Sequence, residues 1–308
     1  MHGVEFHYFC DDQNHPPCQG ALTAADFSEL VAYLRRNYTL LNAQDFYDAV
    51  ASGEGKPGQI CLTFDDGVRS QWDVAVPCME KMGLTGMFFV YTSHFENDPS
   101  MLEVYHDFRF RKYAVIDDFY TDFFSVLKLD PETGRPDVLR KMADFRYESY
   151  LAHCPWHSYT DKLFRYTRDQ LLTQTQYRRL MRILMEQKKY SWQEACRQLW
   201  ISGQELKQLE TGGHMVGLHS HTHPTNICAL NEQAHAQEYI RNAQCLEQIL
   251  GHKIHIAAYP CGGHSDYARA VLAQLGVRLA FTAEMTQGTD PMLMPRKNHP
   301  LVVKEMNR

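Results

Sequence analysis

Two adjacent carboxylates, Asp65 and Asp66, close the run QICLTFDDG (residues 59–67), where a stretch of apolar and β-branched residues ends abruptly at a glycine. A second cluster, GLHSHTHPTN (217–226), sets His219 and His223 four residues apart with His221 between them. Imidazoles at this spacing can converge on one cation from a helical turn or tight loop, and a carboxylate completes a three-ligand set with positions left open for water. Asp-Asp-Gly alone also makes an ordinary turn or helix cap. Three histidines within five residues, directly after an apolar strand and before Pro224, are harder to account for as core. His219 and His223 are therefore read as ligands, and His221, at odd spacing, as turned elsewhere. Two imidazoles and a carboxylate suit Zn²⁺, Co²⁺, Ni²⁺, Mn²⁺ or Fe²⁺, and zinc is the expected ion on ligand softness and availability.

Such residues need a scaffold that brings distant segments together. Apolar runs predict strands at 3–9 (GVEFHYF), 59–64, 86–92 (GMFFVYT), 215–219 (MVGLH), 254–260 (IHIAAYP) and 278–283 (RLAFTA). Helices are predicted between them: Thr23 to Arg36, with Thr23 as N-cap and Asp26 three residues on; 70–82 before Gly83; Asn231 to Gly251; and 265–276. Almost wholly apolar strands alternating with helices call for a parallel sheet covered by helices, open or closed into a barrel. In such folds the loops leaving the strand C-terminal ends build the pocket, and Asp65, Asp66 and the histidines all follow such ends.

From about 95 to 205 the strand signals vanish, and the sequence reads as a helical insertion between the two halves of one barrel domain, 1–94 and 206–308. Residues 135–189 hold twelve Lys or Arg against six Asp or Glu in a chain of net charge −6. A solvated helix face explains such a surplus, and so does an anion-binding wall for a phosphate-bearing substrate. The cluster YHDFRFRKY (105–113) reads either as core with a charged rim or as a surface that stacks a sugar and binds phosphate.

Composition narrows the classes. At 308 residues and 44% hydrophobic the chain can bury a substantial core, and its net negative charge gives no reason to expect nucleic acid as partner. Nine scattered cysteines without C-x-x-C argue against a disulfide framework or thiolate metal cage. With no basic-then-apolar leader and no apolar run of about 18 residues, neither export nor a membrane span is expected, and a cytoplasmic location is. Nothing in the sequence indicates an oligomeric state.

TFDDG (63–67) and HSHTHP (219–224) resemble the first two motifs of the NodB-type polysaccharide deacetylases, carbohydrate esterase family 4, and AYPCGG (258–263) is similar to the Y-P-x-G form of the third. The resemblance implies an α/β fold, a distorted (β/α)7 barrel of the NodB type, here with a large helical insertion. It also implies metal-assisted hydrolysis that removes an N-acetyl group from an amino sugar. Carried over residue by residue, Asp66, His219 and His223 bind the metal and Asp65 is the general base. Tyr259, Pro260, Cys261 and Gly262 meet the substrate, one backbone N–H there facing the developing oxyanion. The chain departs from the pattern in two places. The arginine that opens the third motif in many members is missing from IAAYP, and Arg296, in MPRKNHP, is similar to a late arginine of the Y-P-x-G subgroup that would serve instead. The Leu-x-His block that supplies the general acid is also missing; His299 is the first candidate for that role and His264 the second.

The opening FHYFCDD with CQGALTAADF resembles members found in bacterial surface-polysaccharide biosynthesis, lipopolysaccharide included. A nucleotide-linked or lipid-linked sugar is accordingly an expected substrate form. Two other classes stay open: a metal-dependent amidohydrolase acting on a non-sugar C–N bond, and a non-catalytic sugar-binding module.

Overall fold

Side chains alternate across each β-strand, so one face of a run can pack on helices while the other faces its own interior. The computed structural model, which describes residues 1–96, 99–152, 157–285 and 290–307, realises this in eight parallel strands: β1 (His2–Phe6), β2 (Thr39–Leu40), β3 (Gln59–Asp65), β4 (Met87–Val90), β5 (Met215–Leu218), β6 (Ile256–Ala258), β7 (Leu279–Phe281) and β8 (Arg296–Asn298). Cys154 lies outside the described residues. The order across the sheet is β7-β6-β5-β4-β3-β1-β8. A parallel bridge from Phe281 to Met294 joins β7 to the residues leading into β8, with Thr282 N–H donating to Met294 O at 3.0 Å and Met294 N–H to Ala280 O at 2.9 Å. The seven strands therefore form a nearly closed, distorted (β/α)7 barrel. Short β2 pairs with the first two residues of β3, where β4 has not yet taken that edge.

Parity sorts the core. Ile60, Leu62 and Phe64 of β3 face the outer helices, as do Phe88 and Val90 of β4. Cys61, Met87, Phe89, Ile256, Leu279 and Phe281 fill the barrel, and helix Ala43–Ala51 packs Ala43 and Phe46 against that inner cluster. By the same parity Gly3 and Glu5 of β1, Thr63 and Asp65 of β3, and Arg296 of β8 point inward, with Gly3 opposite Arg296 and Glu5 opposite Thr63 in register. A Cβ on Gly3 would lie 3.0 Å from Arg296 Cγ. Glycine at position 3 thus leaves room for the arginine to lie along the barrel interior.

The helices begin and end where the local chemistry expects. Thr23 and Asp26 form a reciprocal capping box ahead of Ala24–Asn37, and Asn231 caps Glu232–Leu250, which stops at Gly251 in the left-handed region. The helix expected over 70–82 is a π turn, Gln71–Ala75, running into an α-helix, Val76–Lys81. β2, helix Ala43–Ala51, β8 and helix His299–Met306 were not anticipated from the pattern of apolar residues.

The chain divides into two compact units, Met1–Ser100 with Gln198–Arg308, and Met101–Arg197. The second unit is helical wherever it has regular structure among the described residues, around a core that includes Phe108, Phe119, Phe123 and Phe164. Arg109 is buried there, its guanidinium 5.5–5.8 Å from the centroids of Phe110, Phe119 and Phe164. Among the described residues no helix is long and apolar enough to cross a membrane.

Candidate active site

Two strained turns at the C-terminal ends of β3 and β5 present the acidic and histidine groups. After β3 the backbone enters the left-handed region at Asp66 (φ 75°) and Gly67 (φ 62°), and after β5 it does so at Ser220 (φ 63°) and His223 (φ 52°). Non-glycine residues persist there only where the surroundings over-determine them. Here they do: Asn242 Oδ1 accepts from His219 N–H at 2.9 Å, and Ser220 Oγ accepts from His223 N–H at 3.1 Å. Glu238 accepts from the N–H groups of His221 and Thr222 and from the Thr222 hydroxyl at 2.7–2.9 Å. Glu238 and Asn242, one turn apart on Glu232–Leu250, thus pin the histidine loop from below.

Asp66 Oδ1 lies 3.6 Å from His219 Nε2 and 3.3 Å from His223 Nε2. His219 Nδ1 is 2.9 Å from Ala258 O; a carbonyl only accepts, so Nδ1 carries the ring proton. Burial pushes both imidazoles down to about 4, which leaves them neutral near pH 7. His219 Nε2 therefore turns a lone pair towards a buried carboxylate oxygen that has no hydrogen-bond partner. A buried carboxylate oxygen faced by imidazole nitrogens is what a cation resolves, and a neutral imidazole whose other nitrogen is held by a carbonyl, as in His219, is the form that binds metal. Asp66, His219 and His223 fit a divalent ion.

Asp65, one residue away, is gripped by Arg296, whose Nη1 and Nη2 donate to Oδ1 and Oδ2 at 2.6 and 2.7 Å. Burial pushes the Asp65 carboxyl up, but the guanidinium and His219 outweigh it and hold the group well below the ordinary carboxylate range. Asp66, with no such clamp, is pushed up by burial and its neighbour Asp65. Glu5, His7 and Asp65 also approach one another closely enough to suggest a second cation site. The Arg296 guanidinium already lies 3.0 Å from Glu5 Oε1 and bonds Asp65, so a positive charge occupies that group and a second ion would be repelled.

His7 was not anticipated. It follows Glu5 by two residues on the inward side, its Nε2 is 4.0 Å from Asp66 Oδ2, and its side chain is 29% exposed where Asp66 is nearly closed off. Burial lowers its pKa, but the carboxylates of Glu5, Asp66 and Asp65 more than offset this and raise it. In GVEFHYF the clue is the period of two: Val4 and Phe6 face the helices, leaving Gly3, Glu5 and His7 on the other side.

The other anticipated residues are placed as follows. Arg296 is in β8 and 1% exposed. His299 stacks on Phe6 with ring centroids 5.5 Å apart, and its nitrogens face Gly20 O at 2.9 Å and Glu5 O at 3.3 Å; burial pushes it down to about 4. His264 sets Nδ1 against Gly262 O at 2.9 Å. Tyr259 donates from its N–H to Phe281 O and from its hydroxyl to Met292 O, both at 3.0 Å, and Gly262 N–H returns to Tyr259 O at 2.9 Å. Cys261 is exposed with φ 52°. His221 turns from Asp66 towards Thr92 Oγ1, 3.0 Å from its Nδ1.

A parallel barrel with carboxylates and imidazoles gathered at the C-terminal ends of its strands places these groups where barrel enzymes carry their active sites. The sequence model of the polysaccharide deacetylase family matches residues 52–172 and 183–280; the chain belongs to that family and is a carbohydrate N-deacetylase, a hydrolase. Solved structures share its fold. The Streptococcus pyogenes deacetylase PplD, in complex with acetate, aligns with TM-score 0.55 at 12% identity over 97% of this chain and 91% of that one. IcaB from Ammonifex degensii aligns with TM-score 0.53 at 18% identity, covering 96% and 89%. The BpsB deacetylase domain from Bordetella bronchiseptica aligns with TM-score 0.53 at 13% identity, covering 97% and 95%. No curated protein matches the sequence significantly.

Proposed function

We propose that the chain is a metal-dependent deacetylase that frees the amine of an N-acetylated amino sugar, with Asp66, His219 and His223 holding one divalent ion, zinc in the first instance. The observation that carries this reading is the convergence of His219 Nε2 and His223 Nε2 on the buried, unpartnered Asp66 Oδ1 at 3.6 and 3.3 Å. A bound ion supplies Lewis-acid chemistry, acidifying a water and drawing charge from the acyl oxygen. Asp65, kept ionised and oriented by Arg296, takes a proton from the attacking water. A backbone N–H of the loop after β6, near Tyr259 to Cys261, meets the developing oxyanion. His7 gives a proton to the leaving nitrogen as the C–N bond breaks. The water oxygen ends on the acyl carbon, giving acetate and a free amine.

The acid role goes to His7 rather than His299 because His7 opens to solvent beside Asp66, whereas both His299 nitrogens are turned to main-chain carbonyls. The acetate in the PplD structure is the product expected here. A phosphate-bearing form of the sugar and a role in bacterial surface-polysaccharide biosynthesis are carried over from the sequence.

The test is elemental analysis of wild type and His219→Ala, with acetate release measured on N-acetylated sugars and nucleotide sugars and ring opening on cyclic ureides and imides. About one equivalent of transition metal, lost in the variant together with acetate release, is expected. A metal-free wild type that stays inactive after reconstitution overturns the hydrolytic reading in favour of a binding module, and turnover of ureides alone moves the substrate away from sugars.

A further inference from the structure

Glu5 is a carboxylate at the centre of the barrel, 3% exposed, that the proposed reaction does not use. Burying such a group is costly unless it is paired and hydrogen-bonded, and here both conditions are met. Its Oε1 lies 3.0 Å from Arg296 Nη2, and Asn298 Nδ2 donates to its Oε2 at 3.1 Å. Arg296 is held on three sides: Nε donates to Thr282 O at 2.7 Å, the Nη1 and Nη2 pair grips Asp65, and Nη2 also turns to Glu5. A guanidinium matches a carboxylate only when its planar fork is aligned with it. The Thr282 contact fixes the Nε end of that plane, and Glu5 fixes Nη2, the nitrogen that also meets Asp65 Oδ2.

We propose that Glu5 is a positioning residue for deacetylation, acting through Arg296 to hold Asp65 in the orientation from which it takes the proton of water, with Asn298 steadying Glu5 in turn. This rests on the reading of Asp65 as the base. Glu5 is not one of the three side chains that would hold the metal, and it contacts Arg296 and Asn298, so its loss is expected to act on turnover and leave substrate affinity and metal content alone.

The experiment measures kcat, KM and metal content for Glu5→Gln, alone and in an Arg296→Met background, and the crystal structure of Glu5→Gln. Expected are a fall in kcat of about tenfold or more with KM and metal content unchanged, as for other residues that orient catalytic groups, no further fall in the Arg296→Met background, and an Arg296 fork displaced from Asp65. Asn298→Ala, at the half-buried end of the chain of contacts, is expected to lower kcat roughly threefold, and to add nothing once Glu5 is Gln. Equal losses in both backgrounds, a loss that follows metal content, or unchanged kcat would each overturn the inference while leaving the deacetylase reading intact. If wild type releases no acetate from any substrate, it is the deacetylase reading that has failed; an Arg296 fork unmoved in the Glu5→Gln crystal then overturns the positioning role as well.

Discussion

Replacing Arg296 by Met strands two buried carboxylates at once, because Asp65 and Glu5 share the one guanidinium at 2.6–3.0 Å. A unit pair 3.0 Å apart is worth about 5 kcal/mol at an effective dielectric of about 20, and desolvation offsets most of that gain. What removal of the cation leaves behind is uncompensated buried charge, which costs about 3–5 kcal/mol. For a protein of this size the loss corresponds to a fall in melting temperature on the order of 10 °C. The sign of the pH dependence follows from the carboxyls. In the wild type the folded-state pKa of Asp65 is held below its unfolded value, so its stabilisation is present above about pH 4 and is lost as pH falls through the folded value. In Arg296→Met the same carboxyl is buried without its cation, its folded pKa is raised, and the deficit is full at neutral pH and shrinks as acid protonates the group. Urea unfolding at about pH 7 and about pH 5 reads both effects. The neutral combination Arg296→Met, Asp65→Asn, Glu5→Gln is expected to recover at least half of the loss, because no buried charge is then left unpaired. A variant within about 1 kcal/mol of wild type at neutral pH, or a deficit that does not shrink in acid, would refute the reasoning.

Asp65→Asn keeps all three metal-binding side chains and is expected to retain the ion while kcat falls about 10²–10⁴-fold; retention is read by elemental analysis, and loss of the ion would show that the roles of the two carboxylates are not separate. His7→Gln is expected to lower kcat by a similar factor, roughly 10²-fold or more, whereas His299→Gln costs about 1 kcal/mol of stability through its lost carbonyl contact and leaves kcat within about threefold. Gly217→Ala would set a Cβ 2.5 Å from Phe89 Cδ1 and 2.8 Å from Ile256 Cγ1 inside the barrel, an overpacking worth about 1–3 kcal/mol that appears as a lower urea midpoint with an unchanged slope.

How legible each part was depends on what its strand carries. β3, β4, β5, β6 and β7 were visible because apolar residues mark their runs: in β4, Met87 and Phe89 fill the barrel while Phe88 and Val90 meet the helices. Asp66, His219 and His223 were visible because each follows such a run in a short block. β8 reads Arg-Lys-Asn and shows no apolar alternation, so nothing in its composition says strand. It pairs with β1 nonetheless, because its inward residue is met by two carboxylates instead of by hydrocarbon. Helix Ala43–Ala51 escaped for a different reason: its role is to pack on the inner cluster of the barrel, and that role exists only once the barrel has closed.

β1 carries both kinds of information. Val4 and Phe6 announce a strand; Gly3, Glu5 and, one residue beyond the strand, His7 look like interruptions of it. In a closed barrel they are the inward row, and each has a neighbour that explains it: Gly3 leaves room for the Arg296 side chain, Glu5 meets its guanidinium, and His7 faces Asp66 at the mouth. Polar residues in alternate positions normally mean the solvent side of a strand. Here they line the proposed reaction centre, because seven strands closing on themselves leave the C-terminal end of the interior for whatever residues the chemistry needs. A short strand whose inward row carries polar residues, in a chain that also carries an Asp-Asp pair and a His-x-His-x-His block, is thus a signal of active-site lining that apolar periodicity alone discards.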